Sequence, residues 1–290
     1  MRVWRHNANF ISYHCVRCGE SGYARHESVP PLEPVVLVNA RAEAAARERQ
    51  YAIKQHRKAV WLWHRRCPIA GSTAEIYLRD VRGYRGSLPA TLGFLPAHGE
   101  YPPAMIAAFG FVEEPQPGVI TIADDAVYGT HITKLKVDGS GKADTEPNKI
   151  MIARSIGLPI VLAPVNDLFG LVVSEGIEDA LSACEATGLG AWAAGAASRL
   201  PALAAAIPGY VESLSILVDD DDAGRHHTAE LTRLVAARGI EVRQVAVSNI
   251  WRMRHDEHRR QPHCSDARGR DVAPDNRCWH CRTVQGCRGQ

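Results

Sequence analysis

The chain has 290 residues, a formal net charge of +2 and eight cysteines. That length can bury a sizeable core and hold two modest domains with appendages. It contains no run of 18 or more apolar residues and no apolar stretch behind its first charges, so neither a membrane span nor a signal peptide is expected. The small mean charge hides +7 over residues 1–69, −9 over 70–250 and +4 over 251–290. Basic ends around an acidic centre suit a protein that holds a polyanion with its arms and a cation in its middle.

In chain order, residues 1–30 carry Tyr13-His14-Cys15-Val16-Arg17-Cys18, with the two-residue cysteine gap of a zinc knuckle. Tetrahedral zinc takes four ligands, and only His6 or His14 lies near enough in sequence to supplement Cys15 and Cys18. Residues 31–67 form a linker whose Ala, Arg, Glu and Gln content predicts a helix from about Ala40 to Leu62, with Asn39 as its cap. Residues 68–168 read as a separate subdomain. Ser72 or Thr73 caps a short helix there, and strands are predicted at Met105 to Phe109, Gly118 to Ala123 and His131 to Val137, followed by the turn Asp138-Gly139-Ser140-Gly141.

Residues 169–250 are more regular. Leu171-Val172-Val173 begins a strand, helix 177–187 follows, then a short strand at 190–193, helix 198–206, strand 214–218, helix 223–238 and strand 240–247. Strands separated by helices predict a parallel sheet covered on both faces. Residues 251–290 are basic and without periodicity, and read as a disordered tail. Its Cys264, Cys278, Cys281 and Cys287 could make a four-cysteine zinc site, although the spacing is irregular and few apolar residues are present to support one. Cys67 and Cys184 read as buried or free thiols.

Glu175 follows the first strand, and Asp219, Asp220, Asp221 and Asp222 follow the strand 214–218. Carboxylates at the C-terminal ends of parallel strands lie where open α/β sheets bind ligands. So much negative charge in one crevice requires protons or a cation, and a Mg²⁺ site for phosphate chemistry is the preferred reading. Asp179 stands one helical turn beyond Glu175 and can join the same crevice, while Gly176 and Gly224 would let backbone approach phosphate at two helix N-termini. Gly139-Ser140-Gly141-Lys142 is not a P-loop, because alanine follows the lysine.

The segments Val-Val-Ser-Glu-Gly-Ile-Glu-Asp-Ala around Glu175 and Leu-Val-Asp-Asp-Asp-Asp-Ala-Gly around Asp219 resemble the Toprim domain of bacterial primases, type I and II topoisomerases and some nucleases. The order of zinc segment, core and Toprim is similar to that of DNA primases carried by phages and mobile elements. Residues 13–22 look like the second half of the primase zinc ribbon, with the first Cys-x-x-Cys absent, as a start inside a longer ribbon or a vestigial ribbon would leave it.

The resemblance implies a Rossmann-like Toprim sheet preceded by a mixed α/β primase core. Glu175, Asp219 and Asp221 would be catalytic and would hold Mg²⁺ or Mn²⁺, with Asp179 nearby. It also implies that Lys134, Lys142 and Lys149, in the segment ahead of the Toprim domain, contact template or nucleotide. The expected activity is synthesis of short RNA primers on single-stranded DNA from ribonucleoside triphosphates, in the cytoplasm of a bacterial or phage-infected cell, with a replicative helicase as a possible partner. The alternatives are a Toprim-type metal-dependent nuclease and a non-catalytic DNA-binding replication accessory protein. Asp220 and Asp222 depart from the usual Toprim run, and their added charge raises the demand for metal.

Overall fold

A computed structural model of the chain describes residues 1–15, 20–26 and 34–247. Cys18 and the tail cysteines Cys264, Cys278, Cys281 and Cys287 lie outside the described residues. The chain divides into two compact units, Met1–Ile53 and Lys54–Gln290. In the first, β1 (Arg2–Asn7), β2 (Phe10–His14) and β3 (Ser21–Arg25) form an antiparallel sheet in sequence order. Asn7 accepts from the Asn9 amide at the β1–β2 turn, and the His6 ring bonds Ser12 Oγ at 2.7 Å. Cys15 follows directly on β2, and its amide donates to the Glu20 carbonyl at 2.7 Å.

Helix α1 (Pro34–His64) starts well before the predicted Ala40, so Asn39 lies inside it rather than capping it. Proline suits a first turn, where its missing amide would be unpaired anyway. Within the second unit, α1 buries Ala59 and Trp63 against Ile106, Ile132 and Ile152. Helix α2 (Thr73–Ile76) is capped by Ser72, whose hydroxyl accepts from the Ala74 and Glu75 amides, and it passes into a π-helical turn at Tyr77–Val81.

Strands β4 (Leu92–Leu95) and β5 (Ala104–Gly110) follow, then the hairpin β6 (Glu113–Gln116) and β7 (Val119–Thr121), then β8 (Val127–Lys134) and β9 (Lys149–Ala153). The antiparallel order is β4-β5-β8-β9. Every residue of β5 is buried, because alternate side chains serve two cores. Ala104, Ile106 and Ala108 face α1, whereas Met105, Ala107 and Phe109 join Val172, Ile177 and Leu181 of the following region. Strand β8 stops at Lys134 instead of running to Val137, because the chain turns back there and pairs Leu135 with Lys142.

The second sheet contains β10 (Ile160–Ala163), β11 (Gly170–Ser174), β12 (Gly190–Ala193), β13 (Ser213–Val218) and β14 (Glu241–Ala246), in the order β10-β12-β11-β13-β14. Strands β11 to β14 are parallel, and β10 adds an antiparallel edge. Helices α3 (Ile177–Thr187) and α4 (Asp222–Ala236) cover opposite faces. Accordingly β11 sends Val172 into one core and Leu171 and Val173 into the other, each side chain contributing about 1.5–3 kcal/mol on burial. The expected helix over 198–206 is instead two 3-10 turns, Ala197–Arg199 and Pro201–Ala205. Pro201 has no amide to donate, and the turns still bury Leu200 and Leu203.

Candidate active site

Parallel pairing of Val173 with Ile216 aligns the ends of β11 and β13, so the chain leaves the sheet at Glu175 and Asp219 side by side. After Glu175 the chain enters α3 through Gly176, and no side chain caps that helix. After Asp219 it enters α4 through Asp221, whose Oδ1 accepts from the Gly224 amide at 2.6 Å. A Cβ at Gly224 would stand 2.8 Å from the Asp219 carbonyl oxygen, so glycine is required for the helix to close on the strand end. The cap therefore occupies the Gly224 amide. At Gly176 a Cβ would meet Asp179 Oδ2 at 2.8 Å, a side-chain end that can give way, so that position is less constrained.

The acidic groups divide into those whose carboxyls burial and neighbouring like charge raise and those whose charge an arginine or lysine meets. Burial, followed by the Asp219 carboxylate, pushes Glu175 above the usual carboxylate range, against Lys149 and an amide hydrogen bond from Ala197. Burial and then Asp221 raise Asp219, which also shares a hydrogen bond with Glu175. Burial and then Glu178 raise Asp179, although Arg82 lies 3.4 Å from its Oδ1. Asp220 and Asp222, by contrast, are fully exposed and both bind Arg225 at 2.7 Å. The extra charge of the four-aspartate run is thus met by a cation three residues beyond it.

Glu178, which the sequence reading did not single out, is 4% exposed and anchors the neighbouring elements. Lys142 Nζ lies 2.9 Å from its Oε1 and the Tyr77 hydroxyl donates to the same oxygen at 2.7 Å. Burial alone would raise its carboxyl, but Lys142, Lys149 and Tyr77 outweigh it and hold Glu178 at about 2. The same burial and the Glu178 charge push the Tyr77 phenol up, so it stays a donor. A second acid three residues after Glu175 was the available signal. Its burial depends on Tyr77 of the π-helical turn and Lys142 reaching α3 from distant parts of the chain, which no local pattern reveals.

Of the three lysines expected at the site, Lys149 is the one that acts on Glu175, Asp219 and Glu178 together. It pairs with Thr133 across β8 and β9, on the sheet face that also carries His131 and Met151. Lys142 is held by Glu178. Lys134 follows the opposite alternation of β8, on the face of Ile132 and α1, and is not brought to the acidic groups. His131 is buried against Phe109, and burial followed by Lys149 lowers it to about 4, which keeps the imidazole neutral. Arg199, in the turn whose Ala197 amide meets Glu175, buries its Nε without a hydrogen-bond partner among the described residues. Neither His131 nor Arg199 was anticipated.

Glu175, Asp219 and Asp221 offer hard oxygen donors at an open strand edge, and Glu175 and Asp219 are held in the protonated direction by burial and by neighbouring carboxylates. A divalent cation would relieve the same repulsion, and Mg²⁺ or Mn²⁺ suits a site of a few carboxylates completed by water and phosphate. The set is open rather than a closed cage. Among the described residues, only His226, His227 and Glu230 bring three donor groups within 4.8 Å of one another. Of the cysteines expected to bind zinc, only Cys15 is among the described residues. No helix among the described residues is long and apolar enough to cross a membrane.

Comparison with known proteins divides the second unit near the junction of its two sheets, with β10 of the second sheet falling in the first matched segment. Residues 53–162 match a domain of unknown function (DUF7146), and residues 170–262 match the Toprim domain. No curated protein matches the chain. Among solved structures, it is similar to the primase fragment of the bacteriophage T7 primase-helicase protein, at 14% identity and a TM-score of 0.38 over 58% of this chain and 67% of that one. It is also similar to the zinc-binding and RNA polymerase domains of the Aquifex aeolicus primase, at 16% identity and a TM-score of 0.37 over 67% of this chain and 56% of that one. A DNA primase domain from Pseudomonas aeruginosa gives 12% identity and a TM-score of 0.34 over 54% and 48% of the two chains. The chain thus spans about half of either bacterial structure. With its matched segment beginning on β11 and containing both acidic strand ends, this chain is a Toprim-domain protein in which a mixed α/β region precedes the Toprim sheet.

Proposed function

We propose that this protein is a primase-like nucleotidyltransferase that joins ribonucleotides on a single-stranded DNA template. The observation that supports the reading is that the charge of Lys149, at the start of β9 in the sheet ahead of the Toprim domain, bears on both the Glu175 and the Asp219 carboxyl. Acid and base from two subdomains face one crevice, the pairing that phosphoryl transfer to a polyanionic substrate requires. A Mg²⁺ held by Glu175, Asp219 and Asp221 would supply charge neutralisation and alignment of the triphosphate. Lys149 and Arg199 bind phosphate oxygens, since Arg199 has an unsatisfied Nε and neither is committed to a carboxylate at ion-pair distance among the described residues. In its ionised form and when not itself a metal ligand, Glu175, whose proton affinity burial raises, is suited to take the proton of the attacking 3′-hydroxyl. Glu178 holds Lys142 and Tyr77 in place and does not touch substrate.

The test is synthesis from labelled ribonucleotides on single-stranded DNA with Mg²⁺, comparing the intact chain with Glu175→Gln and Asp219→Asn. Short products that disappear in both variants are expected. Cleavage of the template by the intact protein, again dependent on Asp219, would replace this reading with a nuclease, and binding of DNA without either reaction would leave an accessory role.

A further inference from the structure

The second turn of α4 carries a cluster that the acidic crevice does not use. His226, His227 and Glu230 place one donor atom each within 4.8 Å of the others. The buried stripe of this helix is Gly224, Thr228, Leu231 and Val235, which leaves His226 and Glu230 exposed and His227 at the boundary. Helical spacing explains the convergence. His226 is four residues before Glu230 and His227 is three, and both separations put side chains over the same patch of helix surface. The two imidazoles meet edge to face, with centroids 5.1 Å apart at 72°. His227 Nδ1 is buried from solvent and has no hydrogen-bond partner among the described residues.

We infer that His226, His227 and Glu230 form a transition-metal site, with Zn²⁺ as the fitting ion. Two imidazoles are borderline donors that, with one carboxylate, favour zinc over magnesium, in contrast to the all-oxygen set at Glu175 and Asp219. Bonds of about 2.1 Å at tetrahedral angles put donors roughly 3.4 Å apart, so the observed spacing closes by rotation of the exposed His226 and Glu230 side chains toward His227 without moving the helix. Three protein ligands leave a coordination position open to water or to a substrate oxygen. The helix that would bear the ion is the one whose first turn is capped by Asp221.

The test is titration of the metal-free full chain with Co²⁺, in excess Mg²⁺ so that the carboxylate crevice is filled, followed by competition with Zn²⁺. The expected result is one Co²⁺, beyond any taken up by the cysteines, with visible d–d bands free of sulfur-to-cobalt charge transfer, displaced by Zn²⁺. These bands should vanish in His226→Ala/His227→Ala. Glu230→Gln should weaken binding by at least the roughly 10- to 100-fold that follows loss of even an outer-shell partner. Circular dichroism checks that the variants fold, and His226→Gln, a change at an exposed position, gives a second variant in which the bands should fail. Binding only with thiolate charge transfer, thiolate-free bands that persist in the double-histidine variant, or no cobalt uptake beyond the cysteines would each overturn the site. The readout is independent of nucleotide incorporation, so it stands or falls apart from the primase reading.

Discussion

Glu175 and Glu178 are three residues apart, yet their surroundings act in opposite directions. Around Glu175 and Asp219, carboxyls repel one another and burial raises them; around Glu178, a lysine and a phenol complete the carboxylate and lower it. The contrast separates charge arranged for the fold from charge left over for a ligand. A buried acid already paired with a lysine and a phenol needs no further cation. Half-buried acids facing one another at an open strand edge do.

The sharpest way to break this contrast is to remove the cation at the satisfied centre. Lys142→Met leaves Glu178 buried without its ion-pair partner, with the Tyr77 hydroxyl and the Lys149 charge remaining, and stability should fall by about 3 kcal/mol, read from urea denaturation. Because paired apolar replacement relieves the stranded charge, Lys142→Met/Glu178→Met should recover most of the loss. A single variant as stable as the parent would show that Glu178 is not charged in the folded protein.

Next in size is the response of the open crevice to metal. Mg²⁺ at a hundred times its dissociation constant should add about 2.7 kcal/mol to unfolding, and Asp219→Asn or Glu175→Gln should abolish most of that gain. Acidity separates the two regions by sign. The raised carboxyls of Glu175, Asp179 and Asp219 favour the metal-free fold on the acid side, an advantage lost as pH rises through their folded range. Over the same interval Mg²⁺ stabilisation should grow, because binding requires the ionised forms. Glu178 contributes in the other sense: its stabilisation is present above the ordinary value of 4.5 and is lost as pH falls toward about 2. Calorimetry across pH, with and without Mg²⁺, reads both.

Asp221 mixes the two roles, since it caps α4 and also stands in the crevice. Asp221→Ala should cost about 1 kcal/mol through the lost cap, whereas Asp221→Asn should cost little while still weakening Mg²⁺ binding. The smallest effect sharpens the comparison most. In metal-free protein near neutral pH, Asp219→Asn should stabilise by roughly 0.5 kcal/mol, a figure already discounted for solvent screening. A loss of stability instead would mean that Asp219 is compensated by the protein itself.

Much of the second sheet was legible along the chain. The run Leu171-Val172-Val173 is apolar without alternation because both faces of β11 are buried, and helix α3 matches its predicted span because Gly176 and Gly188 bound it. Less was legible in β4, β9 and β10, which were not anticipated. Strand β9 begins at Lys149 and is only half buried, and β10 owes its place to antiparallel pairing with β12 at the sheet edge. At 198–206 the local preference for helix yields to Pro201 and to the burial of Leu200 and Leu203.

By itself the sequence determined where negative charge falls relative to the parallel strands, because strand, acid, glycine and helix follow one another within a few residues. It also carried the helical spacing that sets His226 and His227 over Glu230. Only the tertiary structure decided which acids keep their charge unanswered. Lys142 and Tyr77 reach Glu178 from 36 and 101 residues away in the chain, Arg82 reaches Asp179 from 97, and the Ala197 amide reaches Glu175 from the turn after β12. Those partners arrive through packing of separate sheets on a shared core. A carboxyl's ionisation depends on what surrounds it in space, which spacing along the chain does not encode.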